Sequence, residues 1–472
     1  MPWPLSARRG VLPPITAAAL LATGFVPVLH RHGLVMAELV IALATFAGAA
    51  WLAHRGARSY GRGVSVGGKL RPILEMVLHL SPVALLTFVF PIASHRIAEV
   101  QVGGAHLTAL LLASSLTVPW LSQAVCLPLY RAMGPLIANG DMDRVAGRFC
   151  QVWPITLVQV APVILLFAVP VELAMRWSPA ALGTYLALCL LHMVFAQSLV
   201  PGIIGRRRVV WAAAWAGYAA ALFIVPAAWY LPPLVGLLTQ LVPLRSHLAR
   251  MERPVALDRV DVTVDVVRGV LLGAVLWSDK FFFFLRAGTH FDVTAIFIAL
   301  LPAVLAYNYY FVRLAPKFDR SVEALRVAME KEPYSVLAAR SVSLSNGVEA
   351  SISRTAFIGA SLALAITYVV AEYTTYSSVL IASVAVASWL FMMTTVLCYK
   401  LDYAGKTTLA QAYSAAHLVV SAGAFLLLPA GALLYAWLIG FELLLFAAAL
   451  RSCLSHWRAA EYTLFWRHAT AW

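Results

Sequence analysis

Charged residues are scarce in this chain and cysteines are few, and both shortages narrow the class of protein. Only 12% of the 472 residues are charged, whereas 62% are hydrophobic. A soluble domain of this length cannot bury so large an apolar fraction. A helical membrane protein exposes it to lipid instead, since each span needs roughly 20 apolar residues. The composition therefore predicts a protein that crosses a membrane many times.

The five cysteines are too scattered to indicate a disulfide framework or a metal site. No two of them stand at the Cys-x-x-Cys spacing, and no histidine-rich segment supplies the other ligands of a zinc site. The sequence also lacks the Gly-x-x-x-x-Gly-Lys-Ser/Thr phosphate loop of an ATPase and the His-Glu-x-x-His motif of a metalloprotease. We therefore expect no metal, no cofactor and no enzymatic activity.

Basic residues outnumber acidic ones, 35 against 21, and their positions predict the membrane topology. All but five lie at the two ends or in alternate gaps between apolar stretches, and the five exceptions are Arg31, Arg96, Arg176, Lys280 and Arg286. Because positive residues stay on the cytoplasmic side, this pattern places both termini in the cytoplasm and the chain in the cytoplasmic (inner) membrane. Attraction to anionic membrane lipids accounts for the net charge of +14. We therefore expect no nucleic-acid partner.

The apolar stretches predict an all-α polytopic membrane protein with about fourteen transmembrane helices. The segment 211–244 is short for two of them, but its prolines disfavour one continuous helix, and splitting it keeps both flanking basic loops inside. The predicted spans begin near Val11, Leu34, Ile73, Ala105, Val152, Leu182, Trp211, Leu231, Val266, Asp292, Thr355, Ser378, Leu409 and Ala432.

A faint internal repeat predicts two lobes of six helices each. The segments 104–131 and 288–313 both begin with a glycine two residues before a histidine, and both end in an arginine. Both spans are interrupted by a proline, Pro119 in one and Pro302 in the other. Parallel duplicated bundles around a central cavity are a transporter architecture, with the substrate site between the lobes.

The repeat also predicts the domain boundaries. We expect an N-terminal two-helix hairpin with a basic cytoplasmic loop over residues 1–71, a first lobe over 72–265 and a second lobe over 266–472. Within the second lobe, apolar and charged residues alternate with helical spacing in the cytoplasmic segment 314–354. This amphipathic pattern favours a surface helix that joins two bundles over a catalytic domain.

A pair of opposite charges interrupts the apolar ninth span. Asp279 and Lys280 follow Trp277 and lie past the midplane if this helix begins near Val266, because a helix rises about 1.5 Å per residue. An uncompensated charge at this depth is costly, so each side chain should face a partner or a wet cavity, although Lys280 could snorkel outward. Two interpretations stand: charges that line a transport cavity, or an ion pair that locks two helices.

Other polar groups lie singly or in pairs within the spans. Glu75 and His79 stand one helical turn apart on the third span, where they could relay a proton, although Glu75 lies close enough to the membrane surface to snorkel. For the single polar groups, an interhelical hydrogen bond is the expected role. These single groups are Glu38, His192, His417 and Glu442.

At these residues the chain resembles the MATE-like multidrug/oligosaccharidyl-lipid/polysaccharide exporter superfamily. Residues 81–104 and 128–144 are similar to the opening helices of its members, and residues 268–330 are similar to the membrane exporter of the Pel exopolysaccharide system. The chain departs from that family at Ala315-Pro316, where the family has Glu-Thr. The matching positions are Trp277, Asp279, Lys280, Phe291-Asp292, Leu301-Pro302, Phe311-Val312-Arg313 and Phe318.

The resemblance implies two six-helix lobes that export or flip a polysaccharide or a lipid-linked saccharide. It implies that Asp279, Lys280 and Asp292 belong to the substrate cavity, that Trp277 stacks on sugar, and that the segment 314–354 docks a cytosolic glycosyltransferase. Two alternatives stay open. One is a cation-coupled multidrug antiporter of the same fold, with Glu75 and His79 as its proton relay. The other is a membrane scaffold of a polysaccharide synthase complex.

Overall fold

The computed structural model describes residues 97–469, apart from residues 139, 206, 289–290 and 374–375, together with four single residues upstream. The four single residues are Leu78, Pro82, Val89 and Ala93. The predicted hairpin over residues 1–71 lies outside the described residues. The same holds for the predicted starts at Val11, Leu34 and Ile73 and for three predicted polar residues, Glu38, Glu75 and His79.

A short β-hairpin precedes the first described helix. Its strands β1 (Gln101–Val102) and β2 (Ala105–His106) pair antiparallel. The turn between them consists of Gly103 and Gly104 at φ +58° and +83°. Two successive residues with positive φ form the tight turn that suits a twisted hairpin, and glycine adopts it without strain.

Helices make up nearly all of the remaining described chain. Short 3-10 turns at Val242–Leu244 and Leu248–Glu252 and a π-helical turn at Tyr310–Leu314 connect some of them. The helices are α1 (Leu107–Ala138), α2 (Met142–Val160), α3 (Val163–Met175), α4 (Pro179–Ser198), α5 (Val200–Ile204), α6 (Arg208–Ile224), α7 (Leu231–Leu241), α8 (Arg259–Ala287), α9 (Val293–Tyr309), α10 (Ala315–Lys331), α11 (Tyr334–Tyr373), α12 (Ser378–Tyr403), α13 (Thr407–Leu427), α14 (Ala432–Arg458) and α15 (Ala460–Ala469).

The chain is a helical multi-pass membrane protein. A helix lies at every predicted span from Ala105 onward, and eight helical segments of the described chain are long and apolar enough to cross a membrane. These segments are Leu107–Ile137, Met142–Met175, Pro179–Ile204, Val293–Lys331, Tyr334–Glu372, Ser378–Tyr403, Thr407–Leu427 and Ala432–Arg458. Helix α8 has 29 residues, which is about 44 Å at 1.5 Å per residue. It is therefore long enough to span, although Asp279 and Lys280 interrupt its apolar middle.

The segment 211–244 forms two helices, as predicted. Helix α6 ends at Ile224, Pro226 lies in the break, and Pro232 and Pro233 lie at the start of α7. Proline is tolerated in the first turn because the amide that it lacks has no acceptor within the helix. Helix α7 has only 11 residues, so it covers about half of a 30 Å hydrocarbon core.

The prediction that prolines interrupt two spans is wrong. Helix α1 continues through Pro119 for 32 residues, and α9 continues through Pro302. A buried transmembrane helix tolerates proline because neighbouring helices and hydroxyl side chains satisfy the freed backbone groups. The two segments therefore keep a proline at a similar position without a break.

The predicted amphipathic surface helix is α10. Its buried positions, Phe318, Val322, Leu325 and Ala328, follow helical spacing and lie on one face. The rest of the segment 314–354 is different from the prediction, because it belongs to α11. That helix runs for 40 residues without a break, about 60 Å and twice the hydrocarbon thickness.

Three helices organise the packing. Helix α12 packs against α8, α9, α11, α13 and α14, and the side chains from Leu390 to Cys398 are all buried. We call α9 and α11–α14 the second helix group. Before α8, helix α1 packs against α2 and α4, and α4 packs against α3, and we call α1–α4 the first helix group. Helix α8 joins the two groups, because it packs against α12 and α13 on one side and, most extensively, against α1 on the other. The lobe boundaries at 72–265 and 266–472 stay a prediction.

Candidate functional site

The predicted charge pair on α8 is fully buried. Asp279 and Lys280 are both 0% exposed, and Lys280 Nζ lies 2.9 Å from Asp279 Oδ1. The same ammonium donates a hydrogen bond of 3.2 Å to the carbonyl of Leu276, one turn earlier. Lys280 therefore does not snorkel to the surface. The two charges oppose each other in the interior of the helix group.

Two further helices contact this pair. The hydroxyl of Tyr435 on α14 donates a hydrogen bond of 3.2 Å to Asp279 Oδ2. The Lys280 ammonium lies 5.2 Å from the centre of the Phe391 ring on α12, within the range of a cation–π contact. The charges of α8 thus face α12 and α14, inside the second helix group, and the pair connects three helices.

A second buried pair lies beside the first. His417 Nδ1 on α13 is 2.8 Å from Glu442 Oε2 on α14, and each residue is 1% exposed. The other ring nitrogen, Nε2, lies 3.3 Å from the hydroxyl of Ser278 and 3.3 Å from that of Ser421. Ser278 immediately precedes Asp279, so the two pairs are adjacent.

Phe391 separates the two pairs and contacts both. Its ring packs edge to face against the His417 ring, with the ring centres 4.7 Å apart. The Lys280 ammonium lies 5.2 Å from the centre of the same Phe391 ring. We call the whole set the polar cluster. Its members are Ser278, Asp279, Lys280, His417, Ser421, Tyr435 and Glu442.

One carboxylate oxygen of the polar cluster lacks a hydrogen bond. Among the described residues, none donates one to Glu442 Oε1, whereas Asp279 Oδ1 lies 2.9 Å from the Lys280 ammonium. A buried polar atom left in this state destabilises by about 1–3 kcal/mol. Charges held at membrane depth under such a penalty are typical of functional sites in membrane proteins.

Two of the other predicted site residues, Trp277 and Asp292, do not belong to the polar cluster. Trp277 is half-buried and packs against the apolar core. Asp292 is exposed and caps α9, where its Oδ1 accepts a hydrogen bond of 3.0 Å from the amide of Ala295. Glu75 and His79 lie outside the described residues.

The prediction for the single polar groups holds for the histidines. His192 Nε2 lies 2.8 Å from the hydroxyl of Tyr218, which joins α4 to α6. His417 bonds Glu442 across α13 and α14. The sequence did not indicate that His417 contacts both Glu442 and Ser278. The spacing of Ser414, His417 and Ser421 was the available signal, because it places three polar side chains on one face of α13.

An aromatic group covers the opposite side of α8. The Trp120 indole of α1 contacts Phe281 at 5.6 Å and Phe282 at 5.9 Å between ring centres. It also meets Phe167 of α3 at 4.7 Å. Its Nε1 donates a hydrogen bond of 2.8 Å to the carbonyl of Val270. Consecutive residues of α8 thus contact different parts of the protein. Asp279 and Lys280 belong to the polar cluster, Phe281 packs on the first helix group, and Phe282 contacts both Trp120 of α1 and Phe425 of α13.

The described residues from 97 to 469 contain no group of three or more histidine, cysteine, aspartate or glutamate residues that could hold a metal ion. What the polar cluster offers instead is two acid–base pairs in a low-dielectric interior. A carboxylate paired with an imidazole, and another paired with an ammonium, respond to water, to protons or to a charged or hydroxyl-rich ligand that reaches them.

Comparisons with known proteins return few similarities. No family model matches the chain, and no curated protein matches it. Among solved structures, the crystal structure of MATE in complex with MaD5 is similar at a TM-score of 0.46 and 10% identity. That similarity covers 84% of this chain and 100% of the other. The case for a function therefore rests on the sequence and on the geometry of the polar cluster.

Proposed function

We propose that the chain is a MATE-like membrane transporter that exports or flips a polysaccharide or a lipid-linked saccharide across the cytoplasmic membrane. The observation that carries the transport part is the buried pair Asp279–Lys280 within the apolar part of a helix long enough to span the membrane. Ionisable residues at such depth are expensive and mark pathways for ions and substrates. The saccharide part is supported by the resemblance of residues 268–330 to the Pel exporter.

In this proposal the two lobes, 72–265 and 266–472, move against each other around a path that α8 borders. Helix α8 suits this position because it contacts both helix groups. Asp279 and Lys280 stay paired with each other while the path is closed, and they respond to substrate when water enters. Trp277, half-buried on the same helix, stacks on sugar, and Asp292 at the start of α9 adds a negative charge near the end of α8.

The proposal also assigns partners. The substrate is a saccharide polymer or a lipid-linked saccharide, and membrane lipids surround the spans. Helix α10 and the first part of α11 form the docking surface for a cytosolic glycosyltransferase. The apolar face of α10 is buried against the protein, so its exposed charged face is what a partner would meet.

The experiment for substrate class compares a strain that lacks the gene with the same strain carrying the wild-type gene. We expect the deletion to abolish extracellular amino-sugar-containing polymer and the gene to restore it, with no change in growth on cationic dyes. Unchanged polymer together with increased dye sensitivity would overturn the saccharide proposal and favour a drug antiporter.

The second candidate, a cation-coupled multidrug antiporter, is favoured by one specific observation. The buried His417–Glu442 pair has the chemistry of a proton-accepting site, and Glu442 Oε1 accepts no hydrogen bond from the described residues. Its predicted relay, Glu75 with His79, would lie in the other lobe. In this case, dye efflux from cells should depend on the proton gradient, whereas polymer secretion should not change with the gene.

A further inference from the structure

Helices α1 and α8 approach each other unusually closely. A Cβ atom added to Gly269 would lie 2.3 Å from the backbone of Ala124, and one added to Gly273 would lie 2.1 Å from the carbonyl oxygen of Trp120. Small residues allow two membrane helices to pack backbone against backbone. Trp120 of α1 also bonds the carbonyl of Val270 and packs on Phe281 of α8, so a separation of the two helices must break these contacts as well.

One arginine ties the same two helices together at one end of the contact. Arg131 of α1 places Nη1 2.6 Å from Asp261 Oδ1 and Nη2 2.6 Å from Asp265 Oδ1. The two carboxylates stand one turn apart on α8, so the planar guanidinium meets both at once. The charge pattern of the sequence predicts that this end of both helices lies on the cytoplasmic side.

The three side chains differ in their exposure. Those of Arg131 and Asp261 are 43% and 57% exposed, whereas that of Asp265 is 3% exposed. An exposed ion pair contributes little to stability, but a buried carboxylate that loses its partner is strongly destabilising. Of the two ion pairs, the one with Asp265 is therefore the stronger tie between the helices. It can be released only if water replaces the guanidinium.

Water has a place to enter. A cavity of about 190 Å³ adjoins the three side chains. It is lined by Pro128, Arg131, Leu257, Asp258, Asp261 and Asp265, among others. Asp265 already lines this cavity, so separation of α1 from α8 would widen it and let water replace the guanidinium at the carboxylate.

Each helix is also anchored in its own group. Helix α1 is tied to α4, because Gln197 Nε2 donates a hydrogen bond of 2.8 Å to the carbonyl of Val125. Helix α8 is tied to α12 by an ion pair between Arg268 and Asp402. When α1 and α8 part, each therefore moves with its own group.

From these observations we propose that Arg131, Asp261 and Asp265 form a latch that closes the transport path on the predicted cytoplasmic side and dissociates when that side opens. The inference rests on the proposed transport function. With the latch closed, Arg131 neutralises the buried Asp265, and Gly269 and Gly273 seal the helix crossing. With the latch open, water hydrates Asp265, and the two helix groups stay intact.

The test measures access to the latch directly. Val262, which is 4% exposed and lines the same cavity, is replaced by cysteine as a reporter. The purified full-length protein in nanodiscs is labelled with a water-soluble maleimide, and labelling of the protein without the reporter is subtracted. We expect Arg131→Gln to raise the labelling rate about tenfold, equivalent to about 1.4 kcal/mol in favour of the open form. The control Arg259→Gln, an exposed arginine on the same helix, should leave the rate unchanged.

A charge exchange separates the latch from a general loss of structure. The double variant Arg131→Asp with Asp265→Arg restores opposite charges at positions 131 and 265 and should label more slowly than Arg131→Gln. If Arg131→Gln does not yield a monodisperse protein, Arg131→Lys replaces it, and its rate should exceed that of the wild type because one ammonium cannot span both carboxylates. The latch would be overturned if a monodisperse Arg131→Gln or Arg131→Lys variant labelled at the wild-type rate, or if the exchanged pair labelled as fast as Arg131→Gln.

The labelling needs no substrate, so the latch and the transport function can fail separately. Faster labelling of Arg131→Gln in a protein whose deletion affects neither polymer nor dye resistance would support the latch and contradict the proposed function. Unchanged labelling in a protein that does export polymer would contradict the latch alone.

Discussion

His417 and Glu442 form a buried hydrogen bond of 2.8 Å between Nδ1 and Oε2, and it joins α13 to α14 beside the charged pair of α8. Each residue would be destabilising alone in this interior, because a buried carboxylate or imidazolium without a partner is poorly solvated. The second helix group therefore has polar side chains in its interior. Substitutions in this pair test whether its two residues stabilise the protein together.

We expect the two residues to be energetically coupled. Glu442→Gln and His417→Asn should each lower the midpoint of thermal unfolding in detergent. The double variant should lose less than the sum of the two, because the second substitution removes a group that has already lost its partner. The coupling energy should be about 0.5–3 kcal/mol. Strictly additive losses would show that the pair is not linked.

Tyr435→Phe tests the hydrogen bond to Asp279 without changing the volume of the ring. The hydroxyl is the group that donates to Asp279 Oδ2, and its loss should destabilise by about 1.5–3 kcal/mol because the acceptor is charged. The matched control is Tyr413→Phe, whose hydroxyl bonds the less buried Ser452. We expect a larger fall in the unfolding midpoint for Tyr435→Phe. Equal falls would contradict the strength assigned to this bond.

Gly273→Ala should disrupt the crossing of α1 and α8. The added methyl group would lie 2.1 Å from the Trp120 carbonyl oxygen, and overpacking of this kind costs about 1–3 kcal/mol. Gly440→Ala on α14 is the control, since an added Cβ there meets nothing within 4 Å. A helical glycine replaced by alanine without a clash gains about 0.5–1 kcal/mol. The two variants should therefore shift the unfolding midpoint in opposite directions, and a stabilised Gly273→Ala would contradict the close approach.

Lys400→Met should leave the protein as stable as the wild type or make it more stable. The Lys400 ammonium is 1% exposed and lies 4.1 Å from the centre of the Phe318 ring, and no described residue accepts a hydrogen bond from it. Methionine keeps the volume and removes a poorly solvated charge, whereas alanine leaves a cavity. Of the two variants, we expect only Lys400→Ala to lower the unfolding midpoint. A clear loss for Lys400→Met would mean that the cation–π contact outweighs desolvation.

The sequence was sufficient for the helices but not for the interior. Hydropathy predicted the spans from Ala105 onward, and prolines predicted the break between α6 and α7, because both depend on local chemistry. Helix α11 was predicted only in its apolar half, since the polar half before Thr355 lacks the hydropathy that marks a span. Helix continuation there depends on packing against α10 and α12.

The candidate site was predictable only in part for the same reason. Asp279 and Lys280 are visible as charges in an apolar run, but Tyr435 lies 156 positions away along the chain. Which faces of two spans meet depends on helix rotation and tilt, which hydropathy does not encode. From the sequence, Asp292 fits either a helix cap or a cavity residue. The position of α9 shows that it caps this helix. The latch residues Arg131 and Asp265 were likewise indistinguishable from other juxtamembrane charges.

The most direct test of the central claim, that the buried charges of α8 belong to the transport path, is complementation at matched protein levels in the membrane. Extracellular amino-sugar-containing polymer is measured in the deletion strain carrying wild-type protein, Asp279→Asn or the control Glu99→Gln, which alters an exposed carboxylate just before β1. We predict that the wild type and Glu99→Gln restore the polymer and that Asp279→Asn does not. Full restoration by Asp279→Asn would contradict the claim and favour a scaffold role.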